Sequence, residues 1–321
     1  MLENRSEGHD GHQAHWTEGL KSPHSPGRPG LEKLASIVRR NGGEVLGEGT
    51  PSRMLWGAAP TGAIHLGYCG YFGLLREAAQ QGIEPVVVVA DYHAYLDSEK
   101  SRWSQLDDRA RDYCRVLQAA GFTDVRRTRV SYSDPQYFEG LMKLSRHFGV
   151  EKCLQSGTDT FAVNGRSAAE LLYVLTQVYD LSYFGVDSVT CGLDESAIYR
   201  MGAPILGEYE SVKRQQWYLP MCPGLLKTEM HASDESDNKI LVTDEPEVLR
   251  RKLGRYREEY VSEVGTAPMF EYLDSFLFPL YGLESVRPDT GRGSLETTER
   301  DISRYVERLE TILGCFYRLN H

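Results

Sequence analysis

Between Arg53 and Ala90 the chain reads as strand, turn, helix and strand, and this succession constrains the fold more than any other feature. Arg53 to Gly57 predicts a strand, Pro60, Thr61 and Gly62 a turn, and the segment beyond it a helix running to about Gln81. After Gly82 the Val-rich run Pro85 to Ala90 has the continuous apolar character of a strand buried on both faces of a parallel sheet. Two parallel strands joined within about 40 residues need a crossover helix, so the segment is a βαβ unit. Arg109 to Ala120 continues the alternation as a helix, with Ala110, Cys114, Leu117 and Ala120 on one face, and Arg127 to Ser131 alternates as a strand would. The expected fold class is α/β, a Rossmann-like parallel sheet with a helical insertion near 136–160, plus a small C-terminal α-helical domain. Ile302, Tyr305, Val306, Leu309, Ile312 and Leu313 carry the helical period of that last region.

A chain of 321 residues with 40% hydrophobic content can bury a substantial core, so disorder throughout is excluded. The expected organisation is a flexible tail over 1–30, a Rossmann-like domain over 31–222, and a loop followed by helices over 223–321. The tail carries His9, His12 and His15 among glycines that oppose a helix, so no metal site is expected there. No apolar run approaches the roughly 20 residues of a membrane span, and no signal-like apolar stretch opens the chain, so a cytoplasmic protein without membrane contact is expected. Cysteines 69, 114, 153, 191, 222 and 315 lie far apart, as reduced packed thiols do. A net charge of −10 gives no global attraction for nucleic acid. The clusters Arg126, Arg127, Arg129 and Arg250, Arg251, Lys252, Arg255, Arg257 read as solvated faces.

Three constellations carry chemistry. Pro60-Thr61-Gly62-Ala63-Ile64-His65-Leu66-Gly67 lies between a strand and a helix, where free N–H groups and the helix dipole suit a phosphate. The segment is either an ordinary turn with a surface histidine or a nucleotide cradle in which His65, in the first helical turn, donates to developing phosphate charge. On the helix around Ala168 to Phe184, Tyr173, Gln177 and Asp180 fall within roughly 60° of one another, opposite Leu171, Leu175 and Val178. That polar stripe demands partners, since an unpaired buried group costs ~1–3 kcal/mol; a hydrogen-bonded core and a small polar ligand both satisfy it. Cys191-Gly192-Leu193-Asp194-Glu195 follows a strand at Ser188 to Thr190, where α/β sheets open their ligand crevice, although acidic residues beside glycine also mark plain turns.

In this order the segments resemble the archaeal and eukaryotic type of tyrosyl-tRNA synthetase, a class I synthetase, over Leu55 to Asp244, about 60% of the chain. Pro60 to Gly67 is similar to the family's HIGH signature, and Val89-Ala90-Asp91-Tyr92-His93-Ala94-Tyr95-Leu96 to its second-strand segment. The resemblance implies ATP, with Mg2+, and an aromatic amino acid as ligands. It assigns ATP contacts to Gly57, Thr61, His65, Gly67, Gly192, Asp194 and Met230. Leu55, His93, Tyr132, Ser133, Tyr173, Gln177, Asp180 and Glu195 fall to the substrate, with Tyr173 and Gln177 on the amino group and Asp180 on the ring hydroxyl. His65, Gly67, His231 and Ser233 take catalytic roles. The family also implies a homodimer formed through the insert, with Phe148, Val150 and Leu154 as candidates.

The departures are equally specific. The second histidine of the signature is Tyr68, and the family's KMSKS loop corresponds to Glu229-Met230-His231-Ala232-Ser233, with a carboxylate where the family has its leading lysine. Losing a charge-assisted contact there costs on the order of 2–4 kcal/mol, roughly 30- to 1,000-fold in rate. Lys227 and His231 are candidate substitutes. Leu55 stands where the family has a second phenol-recognising tyrosine, which favours a ring carrying a single donor, phenol or arylamine. Glu195 replaces a glutamine near the substrate carboxylate, so the substrate either lacks that carboxylate or binds shifted. The expected function is an ATP-dependent enzyme that forms an aminoacyl adenylate from a tyrosine-like amino acid and passes the acyl group to a non-tRNA amine in specialised metabolism. The alternatives are a tyrosine-type aminoacyl-tRNA ligase and a catalytically silent amino-acid-binding relative, with tRNA as partner only in the former.

Overall fold

A computed structural model of the chain describes residues 29–97, 101–157, 167–210, 212–226, 229–262, 265–287 and 297–320. Residues 1–28 of the predicted tail, with its histidines, and Lys227 lie outside them, while Pro29 and Gly30 open a helix.

Six strands form one sheet in the order β1-β6-β5-β2-β3-β4, from β1 (Glu44–Leu46), β2 (Arg53–Ala58), β3 (Glu84–Val89), β4 (Val125–Arg127), β5 (Ser188–Gly192) and β6 (Gln215–Leu219). All pairings are parallel except that of the edge strand β1, which runs antiparallel to β6 with Val45 opposite Trp217. The order reverses at β2, which has β3 on one side and β5 on the other. A crevice therefore opens beyond the carboxyl ends of β2 and β5, where open α/β sheets bind ligands. The Asp187 carboxylate sets this register, accepting from the Ser52 amide at 2.9 Å and the Arg53 amide at 2.8 Å.

The helices α1 (Pro29–Arg40), α2 (Gly67–Gln80), α3 (Asp91–Leu96) and α4 (Leu106–Ala119) belong to the first half. Two expectations are corrected here. Helix α2 starts at Gly67, so His65 precedes it: the residues before it pair instead with a distant segment, Leu66 N–H donating to Ile240 at 2.8 Å and His65 bridging Leu241. And Arg127 to Ser131 is no strand, because β4 ends at Arg127 and Thr128–Ser131 is the short helix α5. The buried Asp91 carboxylate turns the chain there by accepting from Thr128 Oγ1 at 2.7 Å, the Arg129 amide at 2.9 Å and the Arg127 guanidinium at 2.8 Å.

The insert consists of α6 (Pro135–Ser145) and α7 (Val150–Ser156), packed on α8 (Ala168–Tyr183), which is followed by α9 (Ser196–Glu210). Asp134 caps α6 by accepting from the Gln136 amide, and Pro135 occupies the first helical turn. A Cβ at Gly140 would come within 1.7 Å of the Tyr179 hydroxyl, so glycine is what lets α6 lie close on α8. Beyond the sheet, α10 (Pro246–Arg255) packs against the helix Glu299–Leu313. That last helix opens with a reciprocal Thr298–Asp301 capping box. These helices share a core with α1 and α2 on one face of the sheet, where Phe270, Phe276 and Tyr305 meet Phe72 and Ile37. The opposite face is closed by α8, whose Val174 and Val178 pack with Leu55, Val86 and Val88.

Candidate active site

Two adjoining hollows lie at the crevice beyond β2 and β5. The larger, about 450 Å³, is within the range of ligand pockets. Of the residues assigned to ATP and catalysis, Gly57, Thr61, His65, Gly67, Asp194, Met230, His231 and Ser233 line it. The smaller and more enclosed hollow is lined by Leu55, His93, Tyr173, Gln177, Asp180 and Glu195. Gly57, Ala59, Tyr173 and Glu195 border both, so the two halves form one site.

Three assigned residues lie off these walls. Ser133 is exposed and donates to the Arg129 carbonyl at 2.8 Å, because it closes the turn after α5 instead of facing the crevice. Tyr132 acts one layer back, through its hydroxyl on Asp180 Oδ2 at 3.3 Å. Gly192 lies beneath the wall, where a Cβ would come within 2.2 Å of Asp194 Oδ1 and 3.2 Å of the Tyr71 hydroxyl.

His65 is buried and receives the Gly67 N–H on Nδ1 at 3.2 Å, which leaves its proton on Nε2. Burial, with Lys239 and His231 nearby, lowers its pKa to about 3, so the ring is a neutral donor at physiological pH. The aromatic wall beside it was not read from the sequence: Trp56 stacks on Tyr71 at 5.2 Å, and Tyr68 stands edge-on to His65 at 4.8 Å. The Tyr68 hydroxyl lies 3.2 Å from that of Tyr113, and burial raises its pKa to about 12. Asp97 is a further carboxylate on this wall.

Asp180 anchors the enclosed half. Its Oδ1 accepts from the Tyr137 hydroxyl at 2.7 Å, and burial raises its pKa to about 7 against the two phenol hydrogen bonds. Tyr137 also escaped the sequence analysis; its signal was its place seven residues from Leu144 on the buried stripe of α6, where a phenol must find an acceptor. His93 Nε2 lies 3.1 Å from Thr176 Oγ1, and its ring stands edge-on to Tyr173 at 4.6 Å. Burial lowers the His93 pKa to about 4. Gln177 donates to Glu195 at 3.2 Å, while its Oε1 has no partner among the described residues.

The loop over 229–234 forms the outer wall. Asn238, almost fully buried, holds it, accepting from the Leu226 amide at 2.8 Å and donating to the Glu229 carbonyl at 3.0 Å and Asp234 Oδ2 at 2.7 Å. Glu229 faces His231 at 3.3 Å.

A parallel sheet with its crevice at the reversal of strand order, a histidine-bearing turn after the first central strand and a polar-floored aromatic pocket define a Rossmann-like α/β fold with a cavity at its switch point. The profile described as tRNA synthetases class I (W and Y) matches residues 48–285, and the chain belongs to that family. It is 28% identical to the cytoplasmic tyrosine–tRNA ligase of Xenopus laevis over 85% of its own length and 56% of that protein. It is 27% identical to the tyrosine–tRNA ligase of Natronomonas pharaonis, over 75% of this chain and 73% of that one. The chain thus spans little more than half the length of the cytoplasmic relatives it matches. Its fold superposes on the tyrosyl-tRNA synthetase of Archaeoglobus fulgidus, solved with L-tyrosine, with a TM-score of 0.73 at 22% identity, covering 89% of this chain and 98% of that one. Among the described residues no helix is long and apolar enough to cross a membrane, and no group of His, Cys, Asp and Glu is arranged to hold a metal ion.

Proposed function

We propose that the protein is an ATP-dependent ligase that activates a tyrosine-like amino acid and transfers the acyl group to an amine other than tRNA. The observation that carries this reading is the shared border of the two hollows, with His65 and Tyr173 on one cavity. In the first step a carboxylate oxygen of the amino acid attacks the α-phosphorus of ATP, the new O–P bond forms, and the bond to pyrophosphate breaks. The neutral His65 donates to the phosphate oxygens as their charge grows, without the cost of protonating a buried imidazole. In the second step an amine nitrogen attacks the carbonyl carbon, AMP leaves with the bonding pair, and the nitrogen sheds a proton. Tyr173 and Gln177 hold the amino group, and Asp180 receives a hydrogen bond from the ring substituent.

Fit is uneven between the halves. The ring half has its acceptor and apolar walls in place, whereas Asp97, Asp194, Glu195 and Asp234 on the phosphate half oppose a polyphosphate unless cations accompany it. Mg2+ entering with the nucleotide would supply such charge.

A non-tRNA acceptor is supported by the state of the basic clusters. Arg127 is spent on Asp91 and Asp107, Arg129 on Asp107 at 2.6 Å, Lys252 on Asp244 at 2.6 Å and Arg255 on Glu259 at 2.8 Å, so much of the charge of these clusters is compensated, with the exposed Arg250 and Arg251 outside these pairs. The relatives' own activity favours the second reading, a tyrosine-type tRNA ligase. Exchange of labelled pyrophosphate into ATP, run beside tRNA charging with the same amino acids, separates them: exchange without charging supports the first, and charging rejects it. The same reading includes pairing of two copies through the insert, where of the expected Phe148, Val150 and Leu154 only Val150 is exposed, beside Phe138 and Met142, each more than half exposed, while Phe148 and Leu154 are partly buried. Light scattering of Met142→Glu should report a monomer where the parent chain reports a dimer.

A further inference from the structure

Among the described residues the phosphate half of the cavity is walled by four carboxylates, Asp97, Asp194, Glu195 and Asp234, and by no lysine or arginine. One ammonium nonetheless lies buried just behind that wall. Lys239 is 5% exposed, and its Nζ donates to the Ala232 carbonyl at 2.7 Å. The same carbonyl oxygen stands where a Cβ on Gly62 would come within 1.9 Å. The ammonium therefore sits at the seam between the Pro60–Gly67 turn and the 229–234 loop, the two segments that enclose the phosphate half. Its neighbour Lys252 reaches the Asp244 carboxylate at 2.6 Å, but Lys239 has no carboxylate within ion-pair distance among the described residues. An ammonium has several donors and no acceptor, so a buried one resting on a single neutral oxygen is left under-compensated, and an arriving anion relieves it. Burial indeed lowers the Lys239 pKa, with the Asp234 charge acting the other way.

We propose that Lys239 supplies the positive charge that meets the pyrophosphate end of the nucleotide, in a cavity whose other walls are acidic and whose loop carries Glu229. The inference rests on ATP being the co-substrate. Lys239 swings from Ala232 toward the incoming phosphates, or donates to them while keeping that bond; in both cases the charge is what matters.

Calorimetric titration of the full chain with Mg2+ and α,β-methylene-ATP, and separately with inorganic pyrophosphate, tests it. Lys239→Gln retains a donor for Ala232 and removes the charge; it should weaken both ligands about 10- to 100-fold, the scale of a charge-assisted hydrogen bond. Lys239→Arg should stay close to the parent. Adding Glu229→Lys to Lys239→Gln should recover most of the loss, which a purely structural role for Lys239 would not permit. If Lys239→Gln binds both ligands as the parent does, or if neither the arginine nor the added lysine restores binding, the inference falls while the ATP reading stands. A parent chain that binds neither ligand overturns both.

Discussion

The two halves of the cavity are built on opposite principles. Around Asp180 the carboxylate is paired inside the protein, Tyr137 and Tyr132 donating to its two oxygens while His93 leans on Thr176, and only Gln177 Oε1 and Thr190 Oγ1 on this hollow lack a partner among the described residues. On the phosphate side Asp97, Asp194, Glu195 and Asp234 line the wall, and order in its loop comes from Asn238. A satisfied network of buried donors and acceptors tolerates little change, because each removed partner strands another. A solvent-open wall can change its charge without disturbing the fold. The ring half should therefore tolerate substitution less readily than the phosphate half.

Catalytic loss should accordingly be concentrated in the phosphate half. His65→Ala removes the neutral donor and leaves the Gly67 N–H without its acceptor; pyrophosphate exchange should fall about 100- to 1,000-fold, with amino-acid affinity nearly unchanged. A comparable loss of amino-acid binding would mean the halves do not divide the work as described. Next in size is Asn238→Ala, which strands the Leu226 amide and the Glu229 carbonyl. The KM for ATP should rise about tenfold in exchange assays, and unfolding free energy should drop by ~1–3 kcal/mol. An unchanged KM would show that the pinned loop does not shape the phosphate half.

The same contrast explains what could be read from sequence. The βαβ unit, the helix bearing Tyr173, Gln177 and Asp180, and the glycine-acid turn after β5 were legible because each depends on local periodicity or on a turn residue. Helix α2 was extended too far because Leu66 and His65 are held by Ile240 and Leu241, some 175 residues away, and no local signal carries that pairing. Arg127 to Ser131 failed for the same reason, since its alternation was overridden by Asp91 at the start of α3, beyond the neighbouring strand β3. Tyr137 and Lys239 were missed because their roles exist only once separate segments meet: a phenol on α6 finds Asp180 on α8, and a lysine beyond the loop finds Ala232 within it.

Within the ring half a smaller loss is expected from Tyr137→Phe, which deletes the hydroxyl bonded to Asp180 while keeping the ring that stacks on Tyr132 at 4.3 Å. Stability should fall by about 1 kcal/mol in urea titrations, and affinity for a phenolic amino acid should change about fivefold while that for ATP does not. An equal change for both ligands would dissolve the distinction between the halves.

The mildest test uses pH. Asp180 titrates near 7 in the fold because burial penalises its charge, whereas in the unfolded chain it titrates near its ordinary value of 3.8. Between those values the native state holds a proton that the unfolded state has released, so the stability contributed by this group is complete below pH 4 and is lost as pH rises toward 7. Asp180→Asn removes the titration while leaving an oxygen for Tyr137 and an amide that can meet Tyr132. Its melting temperature relative to the parent should therefore climb with pH between 4 and 7 and level off above, with each kcal/mol worth about 2–4 °C in a protein of this size class. A difference that is flat with pH would mean that the two phenols hold Asp180 ionised throughout. The ring half would then present a full negative charge to its substrate and select an arylammonium or another cationic ring substituent over a neutral phenol.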